Sequence, residues 1–502
     1  MSEKIKSVAE FQSYVIDADE RLEKICRKKL TELYGTKIEK SIYDLLSWEL
    51  ERIREKKSAS IILLTKELID QSGLTPYEIG YEGTIGALLV GYLCGITCVN
   101  PLETKLPMYP EAFLGVYGDS LIDIDIDVPS SLQKEIMESC SELEGIGEVF
   151  HVGAYKNITP QECYKIIEKY EMEHKVDFLP EKGTWIADKI SQLGVQNAFM
   201  HPSGMLLVPK GHDILELLSL INGVDDEHNL RLTYWGYIEN FYTMDILSRK
   251  ATDFIYSLMK KTGVNVADIS LEDEAVIHLF QSNIILENCR LKRLGPLGVP
   301  EFQSECILGM LELIQPKDFT DIVAVIALLY GGGTWEKNAK VLLEKGIATK
   351  NDIITTIEDV YESLIALGFD REDALKITKM VRQGKAGQKM WSPYREEILK
   401  VGAADWFVYS LEKIEWLVSR AYAYRCALNS WWGAWFKIYY PKEFYEVYFE
   451  LCYKKSLVHA MKQGEDCFNS YLFEQRREID IKEWDVDIEV AREMFGRDIS
   501  LK

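Results

Sequence analysis

Three aspartates alternate with aliphatic residues between Ile122 and Val128, so that Asp123, Asp125 and Asp127 share one face of a predicted strand and Ile122, Ile124, Ile126 and Val128 the other. Carboxylates this close repel one another unless a counter-charge joins them. A divalent cation answers that need: carboxylate oxygens suit Mg2+, which keeps positions open for water and phosphate, and paired ions serve phosphoryl and nucleotidyl transfer. The competing reading is a solvated edge strand whose acids discourage aggregation. Upstream, the turn Gly83-Thr84-Ile85-Gly86 leads into the apolar run ALLVGYL, where backbone N–H groups and a hydroxyl can cradle a triphosphate. Downstream, Asp245 lies in the short apolar stretch FYTMDILSR. Taken singly, these are equally a plain turn and a helix cap. In this order, a glycine-and-hydroxyl turn, an Asp-x-Asp strand and a later Asp have the layout of a nucleotidyltransferase palm.

The elements that must hold these groups follow from periodicity. Residues 4–70 read as helices, with Ile42, Leu45, Leu46 and Leu50 at three- and four-residue spacing. The pattern is helical again from about 130 to 200, MHPSGMLLVP at 200–209 reads as a turn and then a strand, and 251 to about 440 is nearly all helix. The expected fold class is therefore mixed α/β (α+β), with a mixed first half and a helical second half.

At about 150 residues per domain, 502 residues suggest three units, and 47% hydrophobic residues exclude wholesale disorder. The longest apolar run, Ile85–Cys94, is half the roughly 20 residues of a membrane span, and the charged start MSEKIKSVAEFQSYV lacks a secretory pattern. Ten cysteines without paired CxxC units point to buried thiols in a reducing cytoplasm. With 58 basic against 80 acidic residues the net charge is -22, which on charge alone argues against a nucleic-acid binder.

The segments EGTIGALLVGYLCGITCVNPL, FLGVYGDSLIDIDID, MHPSGMLLVP, MDILSR, LGVPEFQSECILGML, TWEKNA, ALKITKMVRQGKAG and AWFKIYYPKEFYEVYF are collinear over roughly residues 22 to 450. Together they resemble the polymerase module of the bacterial DNA polymerase III alpha subunit, PolC type. The resemblance implies a nucleotidyltransferase-type palm from 1–147 and 201–250, a thumb-like helical insertion at 148–200, helical fingers at 251–445, and a C-terminal tail, 446–502, without an assigned role. It implies that Asp123 and Asp125 are the paired catalytic aspartates and Asp245 the third, holding two Mg2+ (or Mn2+) ions. Primer-template DNA and a dNTP are the implied partners. Asp127 falls where the family usually has Asn and stays outside the catalytic set. Relatives of this type also carry duplex-binding, phosphoesterase-like, exonuclease and clamp-binding parts for which 502 residues leave no room, so the expectation is a stripped core served by a protein partner.

Expected nucleotide-binding positions are Gly83, Thr84 and Gly86 in the turn and Arg382, Lys385, Arg420 and Tyr422 in the fingers. The last four belong to a stretch in which Arg382, Lys385, Lys389, Arg395, Arg420, Arg425 and Lys437 interleave with Trp391, Tyr394, Tyr422 and Tyr424. Such interleaving suits a strand or nucleotide along a groove, and equally a solvated helix face over buried aromatics.

Several positions depart from the family where phosphates are met. Arg-Gly-Ser reads Glu82-Gly83-Thr84, the next Ser pair reads Ala87-Leu88, a thumb Lys aligns with Gln161, and two fingers histidines read Tyr330 and Tyr422. A carboxylate at Glu82 beside an incoming phosphate would cost about 1–4 kcal/mol at ~4 Å, roughly tenfold to a thousandfold in rate. Two readings follow. One is a weakened polymerase that retains its metal site; the other is a degenerate paralogue whose fold serves binding or assembly.

Overall fold

The computed structural model describes residues 14–114, 122, 124–157, 167, 170–171, 186, 189, 196–211, 221–224, 229–232, 242–282, 286, 295–452, 454–478 and 485–501. Asp123 and Gln161 lie outside the described residues. Helices Ala18–Tyr34, Lys40–Glu55 and Ala59–Ser72 fill the expected helical start. The first buries Leu22, Cys26 and Leu30 at four-residue spacing, which fixes its inward stripe.

The described strands are β1 (Gly80–Gly83), β2 (Ile124–Asp127), β3 (Ile146–Asn157), β4 (Gln196–Pro209), β5 (Ile221–Val224), β6 (Asn229–Leu232) and β7 (Thr243–Leu247). They form one mixed sheet in the order β1-β2-β7-β4-β3-β6-β5. Ile124, Ile126, Met244 and Ile246 are buried in the main core, and the 59–72 helix packs against β2. A one-residue slip would turn this whole apolar set to water, so burial locks the register.

Periodicity predicts helix from 130 to 200, whereas β3 and the start of β4 are strands; Phe150 and Val152 alternate inward, and pairing with β4 outweighs local preference. The sheet thus takes 148–157 and 196–200 from the segment assigned to the thumb. Of the remainder of that segment, the described residues 167, 170, 171, 186 and 189 are helical. The turn expected at His201-Pro202-Ser203-Gly204 is a bulge within β4: His151 pairs with Met205 and Gly153 with Met200. Pro202 supplies no backbone N–H, which suits an interruption of the ladder.

From Lys250 onward the described chain is helical apart from turns. A second, smaller core between Ile354 and Leu417 gathers Tyr361, Trp391, Val408 and Leu411. The long Arg420–Tyr439 helix joins the main core, with Trp431 and Trp432 buried. Described residues of 446–502 pack onto the rest of the chain. Met461, Phe468, Val490 and Met494 enter the main core, and buried Glu493 pairs with buried Lys437 at 2.5 Å while accepting from Tyr445 Oη at 2.6 Å. Among the described residues no helix is long and apolar enough to cross a membrane, and eight cysteines are free thiols.

Candidate active site

A single row of residues crosses four strands. β2 runs antiparallel to β1 and parallel to β7, which pairs in turn with β4; the register sets Glu82 opposite Asp125, Asp125 opposite Asp245, and Asp245 opposite Gly204. Directly opposed residues project from the same face, with Cβ atoms about 5 Å apart. Asp125 and Asp245 are half-buried while their neighbours along each strand are buried on the other face. Gly204 leaves the far flank of Asp245 without a side chain. Carboxylate oxygens are the hard donors that Mg2+ prefers, so the donor type fits the expected metal. Asp123 precedes Asp125 by two residues but is not described.

Asp127 is different in kind. It is buried, its Oδ1 accepts from the Arg249 backbone N–H at 2.7 Å, and its Oδ2 accepts from the Thr252 hydroxyl. Burial pushes its pKa up to about 6, against the opposing effect of those hydrogen bonds. It ties the start of the Lys250–Thr262 helix to the strand.

The glycine turn is a short 3-10 turn, Thr84–Ala87, between β1 and the Leu89–Leu93 helix. Gly83 takes a positive φ of 71° there, half-exposed. Gly86 is buried, and a Cβ on it would come within 2.5 Å of the Tyr81 ring, so packing demands that glycine. The helix N–H groups read as a triphosphate cradle are occupied: Leu89 and Val90 donate to the Glu49 carboxylate at 3.0 and 2.9 Å. Glu49 is fully buried, which raises its pKa to about 7. At this helix start an internal carboxylate thus fills the place of a ligand anion, one turn beyond Gly83, Thr84 and Gly86. The Thr84 side chain lies outside the described residues.

The fingers cations part company. Arg420 is buried, and its guanidinium donates to Asp359 (2.8 Å), to both oxygens of Glu362 (3.0 Å each) and to the Pro107 carbonyl (2.6 Å). Its backbone N–H donates to Glu358. Burial disfavours its charge, and these carboxylates more than reverse that. The expected phosphate contact is thus a structural clamp between two helices. Arg382 is half-buried with its guanidinium carbon 5.2 Å from the Trp416 ring centre, and burial lowers its pKa. Lys385 is exposed, donating to Gln383 at 2.6 Å. Arg425 and Lys437 are buried, as is Trp391. At these positions the stretch follows neither reading whole: the aromatics Trp391 and Tyr424 are buried, but Arg420, Arg425 and Lys437 are buried with them and do not form a solvated face.

Tyr422 belongs to a network that the spacing of motifs did not reveal. Arg249, at the end of the MDILSR segment, forms an ion pair with Glu82 through one nitrogen and donates to the Tyr422 hydroxyl through another. The Tyr422 and Tyr330 rings meet edge to face at 5.3 Å, and Tyr330 donates to half-buried Glu301 at 2.5 Å. Burial raises the pKa of Glu301, whose backbone sits at φ 68°. Glu82, Arg249, Glu301, Tyr330 and Tyr422 all line one cavity of about 350 Å³ between the sheet and the helical part of the chain. The signal available in sequence was that three departures from the family pattern, Glu82, Tyr330 and Tyr422, alter charge or donors together; only the fold brings them within one network.

Comparison with known proteins agrees with this layout. The family model described as the bacterial DNA polymerase III alpha NTPase domain matches residues 20–198, and that described as the finger domain of the same subunit matches residues 244–402. The chain belongs to the bacterial DNA polymerase III alpha family. Similar curated proteins carry the name DNA polymerase III PolC-type: one from Mycoplasmopsis pulmonis, 28% identical over 84% of this chain and 32% of its own length, and one from Caldanaerobacter subterraneus subsp. tengcongensis, 27% identical over 99% and 39%. A third, from Oceanobacillus iheyensis, is 26% identical over 98% and 38%. The chain spans about a third of the length of these relatives. The first family match contains Glu82 and Asp125, and the second contains Asp245, Arg249, Arg382 and Lys385, so both halves of the carboxylate row fall inside it.

Proposed function

We propose that this chain is a DNA-directed nucleotidyltransferase core that adds dNTPs to a primer 3′-hydroxyl. The observation that carries the reading is the register pairing of Asp125 with Asp245, two half-exposed carboxylates on adjacent strands of one sheet face. With Asp123, next in the alternation, they would hold two Mg2+ ions, or Mn2+. When bound, such ions lower the pKa of an attacking hydroxyl and stabilise charge on the transferring and leaving oxygens. The chain's own part is to fix the donors: the buried aliphatic face holds the strands in register, and Asp127 anchors the Lys250–Thr262 helix that follows β7. The penalty expected from Glu82 is reduced, because its charge is compensated by Arg249.

The proposed partners are primer-template DNA and a dNTP, with a separate protein supplying grip on the duplex, since a net charge of -22 gives weak, salt-sensitive DNA binding. The proposed setting is the cytoplasm. The second reading, a catalytically degenerate binding or assembly module, draws on Arg420 and Glu49, which place an expected phosphate cation and an expected phosphate cradle in internal contacts. Primer extension with Mg2+ or Mn2+, beside an Asp125→Ala control, separates the two. Extension by wild type that the control lacks supports the polymerase; equal failure of both leaves the binding module.

A further inference from the structure

We propose that Arg249 is the cation that meets the nucleotide triphosphate in this chain, delivered from the β7–helix junction in place of the strand arginine that Glu82 replaces. The inference rests on the nucleotidyltransferase reading above and adds to it the residue that recognises the substrate's phosphates.

Four observations converge on Arg249. It lies four residues beyond Asp245, and its backbone N–H is fixed by the buried Asp127 carboxylate at 2.7 Å. Its guanidinium pairs with Glu82, the register partner of Asp125, so the positive charge stands beside the carboxylate row although it originates beyond the end of β7. Among the described residues its side chain has two polar partners, Glu82 and Tyr422, while a guanidinium offers five N–H donors in a planar fork suited to phosphate. The side chain is 39% exposed and lines the cavity of about 350 Å³ that also receives Tyr330 and Glu301. Of the other candidates, Arg420 is saturated by three carboxylate contacts and Arg425 is buried with the Ile79 carbonyl and Asn429.

Glu82 then has a definite task. Without nucleotide it neutralises Arg249 and holds it over the row; when a triphosphate arrives, the phosphate and Glu82 compete for one guanidinium. Removing Glu82 should tighten nucleotide binding, and removing Arg249 should weaken it twice over, by losing donors and by exposing Glu82 to the phosphates.

The test is calorimetric titration of the full chain with dATP and Mg2+, without DNA, at two salt concentrations. Arg249→Gln should raise the Kd about tenfold or more, the scale of charge-assisted hydrogen bonds. Arg249→Lys should lie between it and wild type. Glu82→Gln should lower the Kd about threefold, and the double variant should bind more tightly than Arg249→Gln alone, with a shallower salt dependence than wild type. Circular dichroism melting without nucleotide shows that each variant is folded. If folded Arg249→Gln binds dATP as wild type does while Asp125→Asn weakens binding, Arg249 is not the contact and the active-site reading stands. If wild type itself binds no dATP, both are overturned.

Discussion

The strand side and the helix side of this crevice are built on different terms. On the strand side, Asp125 and Asp245 are presented by register: each is held by the burial of its neighbours, and their position follows from the sheet. On the helix side, cations at expected phosphate positions have been drawn into the scaffold, Arg420 between Glu358, Asp359 and Glu362, while Arg249 enters from the strand end. The lesson concerns reach. A short carboxylate on a strand has one place it can act from, so its position in sequence survives divergence. A guanidinium on a long side chain can be supplied by any neighbouring element, so the charge can be kept while its sequence position changes.

The contrast can be pressed from both sides. On the strand side, the proposed role of Asp245 as a metal ligand predicts that Asp245→Asn cuts primer extension about a thousandfold or more while leaving the melting temperature within a few degrees, because a half-exposed carboxylate contributes little to the core. On the helix side, Arg420→Met should do the reverse. It leaves two carboxylates, Asp359 and Glu362, without their guanidinium and should cost about 3–5 kcal/mol in urea unfolding, with little change in dATP affinity of the folded fraction. A large rise in Kd at full stability would return Arg420 to the phosphates. Glu493→Ala, which removes the carboxylate buried against Lys437, should cost a similar amount and show that residues 486–496 are part of the fold.

A smaller effect distinguishes an internal carboxylate from a ligand anion at the glycine turn. Glu49 has a folded pKa near 7 against an ordinary 4.5, so its protonated form stabilises the native state at low pH, and that contribution is lost as pH rises through about 7. Relative to wild type, Glu49→Gln should therefore gain about 1–3 kcal/mol between pH 5 and pH 8. A difference independent of pH would contradict the buried-acid account. The least effect is expected from Lys385→Gln, which removes one exposed charge and should weaken DNA binding about threefold, less at high salt.

Much of the strand side was legible in the sequence. The Ile/Asp alternation identifies β2, because period-two burial leaves a direct mark, whereas the Met-Asp-Ile-Leu segment shows only as a short apolar stretch whose Asp245 is placed by the family resemblance. β3 escaped because its pairing with β4 is non-local. The cation side was illegible for a related reason: Glu82, Arg249, Glu301, Tyr330 and Tyr422 come from five separate segments, and no local pattern records that an anion at 82 has a guanidinium at 249. Likewise, nothing near Gly86 announces that Glu49, from an earlier helix, occupies the N–H groups beyond it.

The central claim is that the row at Asp125 does the chemistry, and Asp127, on the same strand face two residues away, is its internal control. Single-turnover primer extension with Mg2+ should fall about a thousandfold or more in Asp125→Asn. It should stay within about tenfold of wild type in Asp127→Asn, whose amide oxygen can still accept from the Arg249 N–H. Loss of extension in Asp127→Asn with wild-type rates in Asp125→Asn would contradict the account.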